Sequence, residues 1–460
     1  MTRRLVRRRL MGTYNLTMDA PARARRLGSG SVEIAITFAA IVIVAAALLS
    51  LSFTNAAPTA SPLEGVFTSV SAISGTGLVL FDTQAQFTFA GELIILVVIQ
   101  VGGLGYMLGV SVILWAIGGR LGVRDSHMLR LYYGLPTLGE AVRFIRNLAI
   151  YAFACEAIGA AALWVGFTAA GVDKHTAVWW AIFHSISSFN EAGFNLTGAD
   201  LLPFADQPLV LATSGILAAL GAIGAIPILL LMQTRGRNLP LDSRVILGGA
   251  GILLLMGFAF IGIGEWANPE TLGSVSAWDR PLLAAEQSAM WGTGFSAIPT
   301  SELHDATKFY LIGMMFIGGA AGSAAAGVKI GTFFLLLAVI WATIRGREEV
   351  VMLGRQVPFM VARQAMVIAL GLVAFCFALT VFLLTVSDDG ALDVMFETVS
   401  ATANVGWTPL DTSSWGTAGR VALIIGMLVG RFAPLLLVLE MTRPRAQSAL
   451  RYPTDGVRLG

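Results

Sequence analysis

The sequence predicts an all-α, polytopic membrane protein in which four similar units of a helix, a short re-entrant helix and a second helix surround a pseudo-fourfold axis. Three observations support this prediction: an apolar composition, recurrent long apolar stretches and a glycine-centred motif that occurs four times. Of the 460 residues, 56% are hydrophobic and only 13% are charged, whereas a soluble domain carries about 25% charged residues. The chain is therefore expected to lie in a bilayer.

Apolar stretches close to or above the ~18–20 residues that span a bilayer recur along the chain. They cover residues 34–51, 93–117, 209–232, 245–263, 366–386 and 421–439. The first stretch follows a basic N-terminus, as the apolar region of a signal peptide does, but no small-residue cleavage site and polar mature domain follow it, so we interpret it as the first membrane helix. Cys155 and Cys376 both lie in apolar surroundings, and no disulfide framework is implied.

The glycine-centred motif is recognised by aligning its four copies. The shared glycines are Gly77, Gly193, Gly294 and Gly406. A serine precedes each of them by six residues, at Ser71, Ser187, Ser288 and Ser400. A bulky apolar residue follows each glycine, and a phenylalanine stands ten residues before it except in the third copy, which has Ala284. Four copies in one chain indicate four units around one axis.

A glycine turn repeated four times at membrane depth can present backbone oxygens to a watery axis. Glycine permits positive φ and a close approach of the backbone, and unpaired backbone in a membrane must line a cavity or be buried in protein. Such a ring of carbonyls can replace the hydration shell of a cation. The alternative is four ordinary turns with a coincidental serine. The candidate filter residues are Gly75, Thr76, Gly77, Glu191, Ala192, Gly193, Gly292, Thr293, Gly294, Asn404, Val405 and Gly406.

The intervals between the glycines contain the same series of elements, which is helix–pore loop–helix followed by a basic loop. The predicted organisation is a basic cytoplasmic N-terminus at 1–30, repeat 1 at 31–118, repeat 2 at 119–232, repeat 3 at 233–342, repeat 4 at 343–442 and a cytoplasmic tail at 443–460.

Basic residues predict the orientation. The N-terminus, the basic loops and the C-terminal tail hold most of the 30 Lys and Arg residues, and all these segments fall on one side of the proposed topology. Positive charge marks the cytoplasmic side, so both termini are expected inside and the four glycine turns are expected to open outward. Acidic residues, Glu191 among them, are expected near the outer mouths. They either form a negative vestibule that concentrates cations or belong to a solvated face without a special role.

Repeat 3 contains a second candidate site. Its apolar stretch at 309–342 is interrupted by small residues at 318–328, which weaken a helix and leave carbonyls free; close helix packing through small residues is the alternative. Two charged residues stand in apolar surroundings, Lys329 at the end of this run and Arg431 in repeat 4. Gly318 lies 24 residues beyond Gly294, and Arg431 lies 25 beyond Gly406, so both should reach one depth. The candidate gate residues are Gly318, Gly319, Gly322, Ser323, Gly327, Lys329 and Arg431.

Several segments, from about residue 30 to the C-terminus, carry a family resemblance. They are residues 76–83, 99–105, 190–194, 315–319, 322–323, 327–329, 430–435 and 451–453. On these the chain resembles the superfamily of potassium-uptake transporters known as Trk, Ktr and HKT, and it is most similar to the membrane (pore) subunit of bacterial Ktr systems. The single helix before the first pore loop favours the Ktr type.

The resemblance implies potassium uptake across the plasma membrane through a filter with glycine at all four selective positions. It also implies an intramembrane gate loop with an arginine beside it, a homodimer with one pore per protomer, and a separate cytosolic regulatory subunit with nucleotide-binding domains. No covalent cofactor is implied, nucleotide would act only through that subunit, and a dependence on sodium stays open. The chain departs from the family pattern at two places. Relatives carry a neutral residue where this chain has Glu191, and they carry more hydroxyl side chains where it has Ala324–Ala326.

Two other functional classes fit the sequence less well. A secondary symporter that couples potassium to sodium or protons usually has two inverted repeats, whereas these four repeats share one orientation. A membrane enzyme would need a paired acid–base arrangement, and no catalytic constellation is visible. The histidines His127, His175, His184 and His304 are scattered, with no metal-ligand spacing.

Overall fold

A computed structural model describes residues 29–103 and 138–441. The predictions for the basic N-terminus, most of the basic loop at 119–145 and the C-terminal tail lie outside these residues. In chain order the helices are α1 (Ser29–Leu49), α2 (Pro62–Ser74), α3 (Thr83–Gln86), α4 (Phe89–Gly103), α5 (Leu138–Ala169), α6 (Lys174–Phe189), α7 (Pro208–Ile223), α8 (Ala225–Thr234), α9 (Leu241–Gly264), α10 (Arg280–Ala289), α11 (Asp305–Phe316), α12 (Ile330–Ile344), α13 (Phe359–Leu383), α14 (Ala391–Ala403) and α15 (Thr417–Met441).

Four short helices, α2, α6, α10 and α14, each end just before one of the aligned glycines. Local sequence explains their ends. Ser61 and Glu64 form a capping box at the start of α2, with Pro62 at its first position. Gly75 then ends α2 in the left-handed conformation at φ 68°, which glycine adopts without a steric penalty.

The helices pack as four units in chain order. In the first unit α1, α2 and α4 contact one another, and in the second unit α5, α6 and α7 do so. In the third unit α9 packs on α10 and α11. In the fourth unit α13, α14 and α15 contact one another. The helix after each glycine turn also packs on the short helix of the next unit: α4 on α6, α7 on α10, α11 on α14, and α15 back on α2. The units thus form a closed series.

Large aromatic side chains fill the space around the short helices. Phe67, Phe183 and Phe396, ten residues before their glycines, are fully buried. The residues that follow the last three glycines, Phe194, Phe295 and Trp407, are equally buried. The conserved spacing in the four motif copies therefore corresponds to packing positions at both ends of each turn.

The chain is a multi-pass membrane protein by length and composition. Within the described ranges, four helices are long and apolar enough to cross a bilayer, or up to five if a bent pair counts as one span. That pair is α7 and α8, which meet at 91° around Gly224. The apolar stretch at 209–232 is therefore not one continuous helix, because Gly224 has φ 75° and ψ 166°, a conformation that cannot continue a helix.

The basic loop at 343–362 contains a β-hairpin that periodicity did not predict. Strands β1 (Val350–Met352) and β2 (Arg355–Val357) pair antiparallel. Leu353 and Gly354 connect them, and both have positive φ, as a tight two-residue hairpin turn requires.

Candidate functional site

The four glycine turns, at residues 75–77, 191–193, 292–294 and 404–406, lie against one another in chain order. A Cβ added at Gly77 would lie 2.5 Å from the Ala192 oxygen, and one added at Gly193 would lie 2.6 Å from Cα of Gly294. A Cβ on Gly294 would lie 3.3 Å from Cα of Gly406. Gly406 in turn abuts the carbonyl oxygen of Thr76 in the first turn. A side chain at Gly77, Gly193 or Gly406 would overlap the backbone of a neighbouring turn, and one at Gly294 would be tightly packed.

Three of the four turns share one backbone conformation. The residue two positions before the glycine is left-handed at Gly75, Glu191 and Asn404, with φ of 68°, 57° and 54°. The next residue then donates its N–H to the carbonyl of the aligned serine: Thr76 to Ser71 at 2.9 Å, Ala192 to Ser187 at 2.8 Å and Val405 to Ser400 at 2.9 Å. In the third turn Thr293 donates to Met290 instead, at 3.0 Å. The third copy therefore departs in backbone as well as in sequence.

The aligned serines share burial but differ in their side-chain contacts. Ser400 Oγ accepts the N–H of Gly406 at 2.9 Å, and Ser288 Oγ donates to the Leu254 carbonyl at 2.8 Å. Ser71 and Ser187 have no hydroxyl partner among the described residues. What the four serines have in common is a small side chain that fits beneath the turn.

Side-chain hydrogen bonds link the turns to the surrounding helices. Asn404 Nδ2 donates to Thr76 Oγ1 at 2.8 Å and to the Met427 carbonyl on α15 at 3.0 Å. Thr76 Oγ1 is also 2.6 Å from Ser74 Oγ. The first and fourth turns are thus bonded to each other and to the helix that carries Arg431.

A comparable network supports the second turn, and sequence reasoning missed it. Glu156 on α5 is buried, and its Oε1 accepts from Gln100 Nε2 and from Asn190 Nδ2, both at 2.9 Å. An isolated Glu and Gln inside apolar helices were the available signal, because polar groups at membrane depth need partners. The network joins α4, α5 and the end of α6.

The small residues at 318–328 form a loop whose two ends lie side by side. Gly318 N donates to the Val328 carbonyl at 2.9 Å, and Val328 N donates to the Phe316 carbonyl at 3.1 Å. A side chain at Gly318 would overlap the Ala326 carbonyl, so this crossing requires glycine. We call residues 318–328 the small-residue loop. It begins where α11 ends and leads into α12.

The small-residue loop docks on the break between α7 and α8. A helix that stops at Gly224 leaves its last carbonyls without intrahelical partners. Two loop amides occupy them: Ala320 N donates to Ala222 O at 2.8 Å, and Ala324 N donates to Gly221 O at 3.3 Å. The unexpected bend in the second unit therefore provides the seat for the loop of the third.

Two cations hold the same loop by its carbonyls. Arg431 Nη1 donates to Ala324 O at 2.5 Å, and its Nη2 donates to Gly102 O at the end of α4 at 2.7 Å. Lys329 Nζ donates to Ala325 O at 2.5 Å. Arg431 thus joins the fourth unit to the loop and to the first unit.

Glu191 does not lie where either sequence interpretation put it. It is fully buried, so it is not a solvated residue at an outer mouth. A Cβ at Gly292 would lie 2.9 Å from Glu191 Oε2 and 3.1 Å from Ala325 Cβ. The carboxylate therefore faces the small-residue loop.

The remaining candidate residues fall into the same two groups. The turns bring together Gly75, Thr76, Gly77, Ala192, Gly193, Gly292, Thr293, Gly294, Asn404, Val405 and Gly406, and the loop brings together Gly318, Gly319, Gly322, Ser323, Gly327, Lys329 and Arg431. Gly224 contacts Ser323, to which a Cβ at Gly224 would lie 3.2 Å away. Among the functional candidates, Gly221, Ala222 and Gly224 were missed, although Gly224 with Pro227 three residues later was a signal for a helix break.

Comparison with known proteins gives one consistent result. The model of the TrkH family, described as cation transport protein, matches residues 18–245 and 272–448. The chain is 30% identical to Ktr system potassium uptake protein B of Bacillus subtilis over 93% of this chain and 96% of that protein. It is 31% identical to the protein of the same name from Vibrio alginolyticus over 93% and 94%.

The fold also has a counterpart among solved structures. It resembles the crystal structure of the potassium transporter TrkH from Vibrio parahaemolyticus with a TM-score of 0.66 and 16% identity, over 92% of this chain and 86% of that one. The family model matches most of the sequence, and the two Ktr relatives are 30% and 31% identical to it over nearly their full length. The chain belongs to the TrkH family of cation transport proteins.

Proposed function

We propose that this protein takes up potassium through a pore whose filter is the four glycine turns and whose gate is the small-residue loop. The observation that carries the proposal is the contact of Gly77, Gly193, Gly294 and Gly406 in chain order, with no space for a side chain at three of them and little at Gly294. Where glycine leaves no side chain next to the axis, backbone carbonyl oxygens can replace the hydration shell of a cation.

Potassium is the proposed cargo. Two relatives are named as potassium uptake proteins of Ktr systems, and glycine at all four positions agrees with the expectation from the family resemblance. Another relative, from Enterococcus hirae, is named a potassium/sodium uptake protein and is 28% identical over 95% of this chain. Sodium is therefore the competitor that any selectivity experiment should include.

The small-residue loop is proposed to obstruct the pathway on one side of the filter. Arg431 and Lys329 bind its carbonyls and place positive charge there, which opposes the passage of a cation. Displacement of the loop would remove both the backbone obstruction and part of this electrostatic barrier. The loop is held by hydrogen bonds to the α7 break and to these two side chains, and by burial of Ala320 and Ala324–Ala326.

The orientation and partners are also proposals. Basic loops and termini support a cytoplasmic location for both ends, with the glycine turns facing outward. The names of the Ktr relatives support a role in a potassium uptake system. The homodimer and the cytosolic nucleotide-binding subunit are proposed from the family resemblance alone.

Growth rescue tests the proposed function. Expression of the chain in a bacterium that lacks potassium uptake should restore growth at low potassium, while a Gly406→Leu variant should not, because its side chain would overlap the first turn. Absence of rescue by a correctly inserted wild-type chain, with or without a co-expressed Ktr regulatory subunit, would contradict potassium uptake.

Deletion of residues 319–327 tests the gate. Ile317 and Val328 form a parallel bridge, so the two ends that the deletion joins lie side by side. We expect a higher potassium flux in reconstituted vesicles. An unchanged flux from a folded deletion variant would show that the loop does not obstruct the pathway.

A further inference from the structure

The third glycine turn differs from the other three in the way its backbone is held. Gly77, Gly193 and Gly406 have φ of 84°, 68° and 99°, whereas the φ angle of Gly294 lies outside this left-handed region. The N–H before Gly294 also does not bond to the carbonyl of the aligned serine, as it does in the other turns. Contacts from outside the turn must therefore supply the support that the other turns supply themselves.

The peptide group between Phe295 and Ser296, one residue beyond Gly294, is held at both of its polar atoms by side chains. The carbonyl oxygen of Phe295 accepts the indole N–H of Trp407 at 2.7 Å. The N–H of Ser296 donates to Asp200 Oδ2 at 2.6 Å. A peptide group is planar, so these two bonds, from the fourth and the second unit, together fix its orientation.

Trp407 is placed to make its bond by its own glycine turn. It follows Gly406, and a Cβ at Gly294 would lie 3.3 Å from Cα of Gly406, so the third and fourth turns are in contact beside the bond. Both Trp407 and Phe295 are fully buried. An indole side chain has an N–H donor and no acceptor. The residues that follow the other three glycines have no side-chain donor; they are Leu78, Phe194 and Phe295.

We infer that Trp407 is a positioning residue for the third turn, whose indole N–H fixes the peptide group beyond Gly294 and thereby contributes to the discrimination between potassium and sodium. The number and orientation of the carbonyl dipoles around an ion determine how a filter selects it. A peptide group that could rotate next to Gly294 would let the carbonyls of this turn rotate as well. The inference rests on the proposed function, since it deepens the role of the third turn in the proposed filter.

The test compares Trp407→Phe with wild type for the ratio of potassium flux to sodium flux in vesicles. Phenylalanine keeps an aromatic ring and removes the N–H, so the Phe295 carbonyl loses its donor. The ratio should fall at least about twofold, which corresponds to the lower end of the net contribution of one hydrogen bond. An unchanged or higher ratio in a folded variant would overturn the inference.

Replacement of Trp407 by benzothienylalanine separates the hydrogen bond from the volume of the ring. In this analogue a sulfur atom stands in place of the indole N–H, and the two fused rings are kept. The ratio should fall as it does in Trp407→Phe. A ratio equal to that of wild type would assign the effect of Trp407→Phe to lost packing and overturn the role of the N–H.

Trp415→Phe is the matched control. Trp415 is also buried, and its Nε1 donates to Asp389 Oδ2 at 2.8 Å, in the loop between α13 and α14. The same change of ring therefore removes a bond of similar length whose acceptor lies outside the four turns. The flux ratio should stay as in wild type. A fall that matches that of Trp407→Phe would assign the effect to the loss of any buried tryptophan and would overturn the inference.

A second measurement does not depend on transport. In protein labelled with ¹⁵N at its indole nitrogens, the NMR signals that disappear in Trp407→Phe and in Trp291→Phe belong to these two residues. Trp291 is equally buried, and its N–H has no partner among the described residues, so it provides the reference for an indole without a hydrogen bond. The Trp407 proton should resonate downfield of the Trp291 proton, as a hydrogen-bonded proton does.

The two measurements fail in different ways. A Trp407 proton that resonates at or upfield of the Trp291 position would show that the bond to Phe295 is absent and would overturn the inference. If wild type conducts neither potassium nor sodium, the proposed function fails, while the indole spectrum still decides whether Trp407 holds the third turn.

Discussion

Gly77 illustrates how one missing side chain defines the contact between two units. Its φ is 84°, and an added Cβ would lie 2.5 Å from the Ala192 oxygen and 2.9 Å from Cα of Gly193. Gly77→Ser should therefore displace the second turn as well as the first. We expect weaker discrimination of potassium against sodium, measured as the ratio of the two fluxes in vesicles.

Gly171 provides the control for this substitution. It has a similar φ, 90°, but an added Cβ would meet nothing within 4 Å. Gly171→Ser introduces the same backbone strain away from the glycine turns and should leave the flux ratio unchanged. Equal ratios in wild type and Gly77→Ser would contradict the role of the turns as the filter.

Glu265, just beyond α9, predicts a pH dependence of stability. Burial raises its pKa, but hydrogen bonds outweigh burial and lower it, among them those from Asn268 Nδ2 at 2.6 Å and Thr271 Oγ1 at 2.8 Å. A carboxyl group with a lowered pKa stabilises the fold above its unfolded pKa, near 4.5, and loses this contribution as pH falls through the lower folded value.

Thermal unfolding between pH 3 and 6 measures this effect. Wild type should lose stability across the acid part of this range more steeply than Glu265→Gln. Glu302→Gln, which neutralises an exposed neighbour, should follow wild type. A Glu265→Gln profile as steep as that of wild type would assign the acid sensitivity to other groups.

At the scale of elements, the sequence predicted which helices and interruptions exist better than how the helices bend. The interruption of the apolar stretch between α11 and α12 was predicted from its small residues, because they disfavour a helix whatever surrounds them. The bend between α7 and α8 was not, although Gly224 and Pro227 in the same apolar stretch signalled a helix break. The position of the Glu191 carboxylate was also missed, because the residues that it contacts, such as Gly292, belong to another unit.

The contact between α11 and α14 supplies an element-scale prediction. Lys308 Nζ lies 2.9 Å from Asp393 Oδ1, and the Lys308 side chain is only 8% exposed. Lys308→Met should reduce stability by about 1.5–3 kcal/mol, typical of a lost hydrogen bond to a charged group. The double variant Lys308→Met, Asp393→Asn should lose less stability than the sum of the losses in the two single variants.

Thermal unfolding in detergent measures this coupling, with the exposed Lys174→Met as control. Additive effects of Lys308→Met and Asp393→Asn would show that the pair does not connect α11 to α14. A loss of stability in Lys174→Met of similar size would indicate a general effect of removing a lysine.

At the scale of the whole molecule, the all-α membrane class and the family were predictable from the sequence. Composition and apolar length decide the class, and the quoted motifs, such as Gly327-Val328-Lys329, indicated the family that the match over most of the chain then showed. The closed series of contacts, in which α15 returns to α2, was expected only from four similar motifs. How the units fit together depends on contacts between residues far apart in sequence, such as that of Asn404 with Thr76.

The central claim is that the four glycine turns form a potassium-selective pore, and the reversal potential of the purified, reconstituted chain tests it most directly. Under opposed gradients of potassium, sodium and protons, the current should reverse at the potassium equilibrium potential, and altering the sodium or proton gradient should not move it. A reversal potential that follows the sodium or proton gradient would contradict the pore and indicate coupled symport.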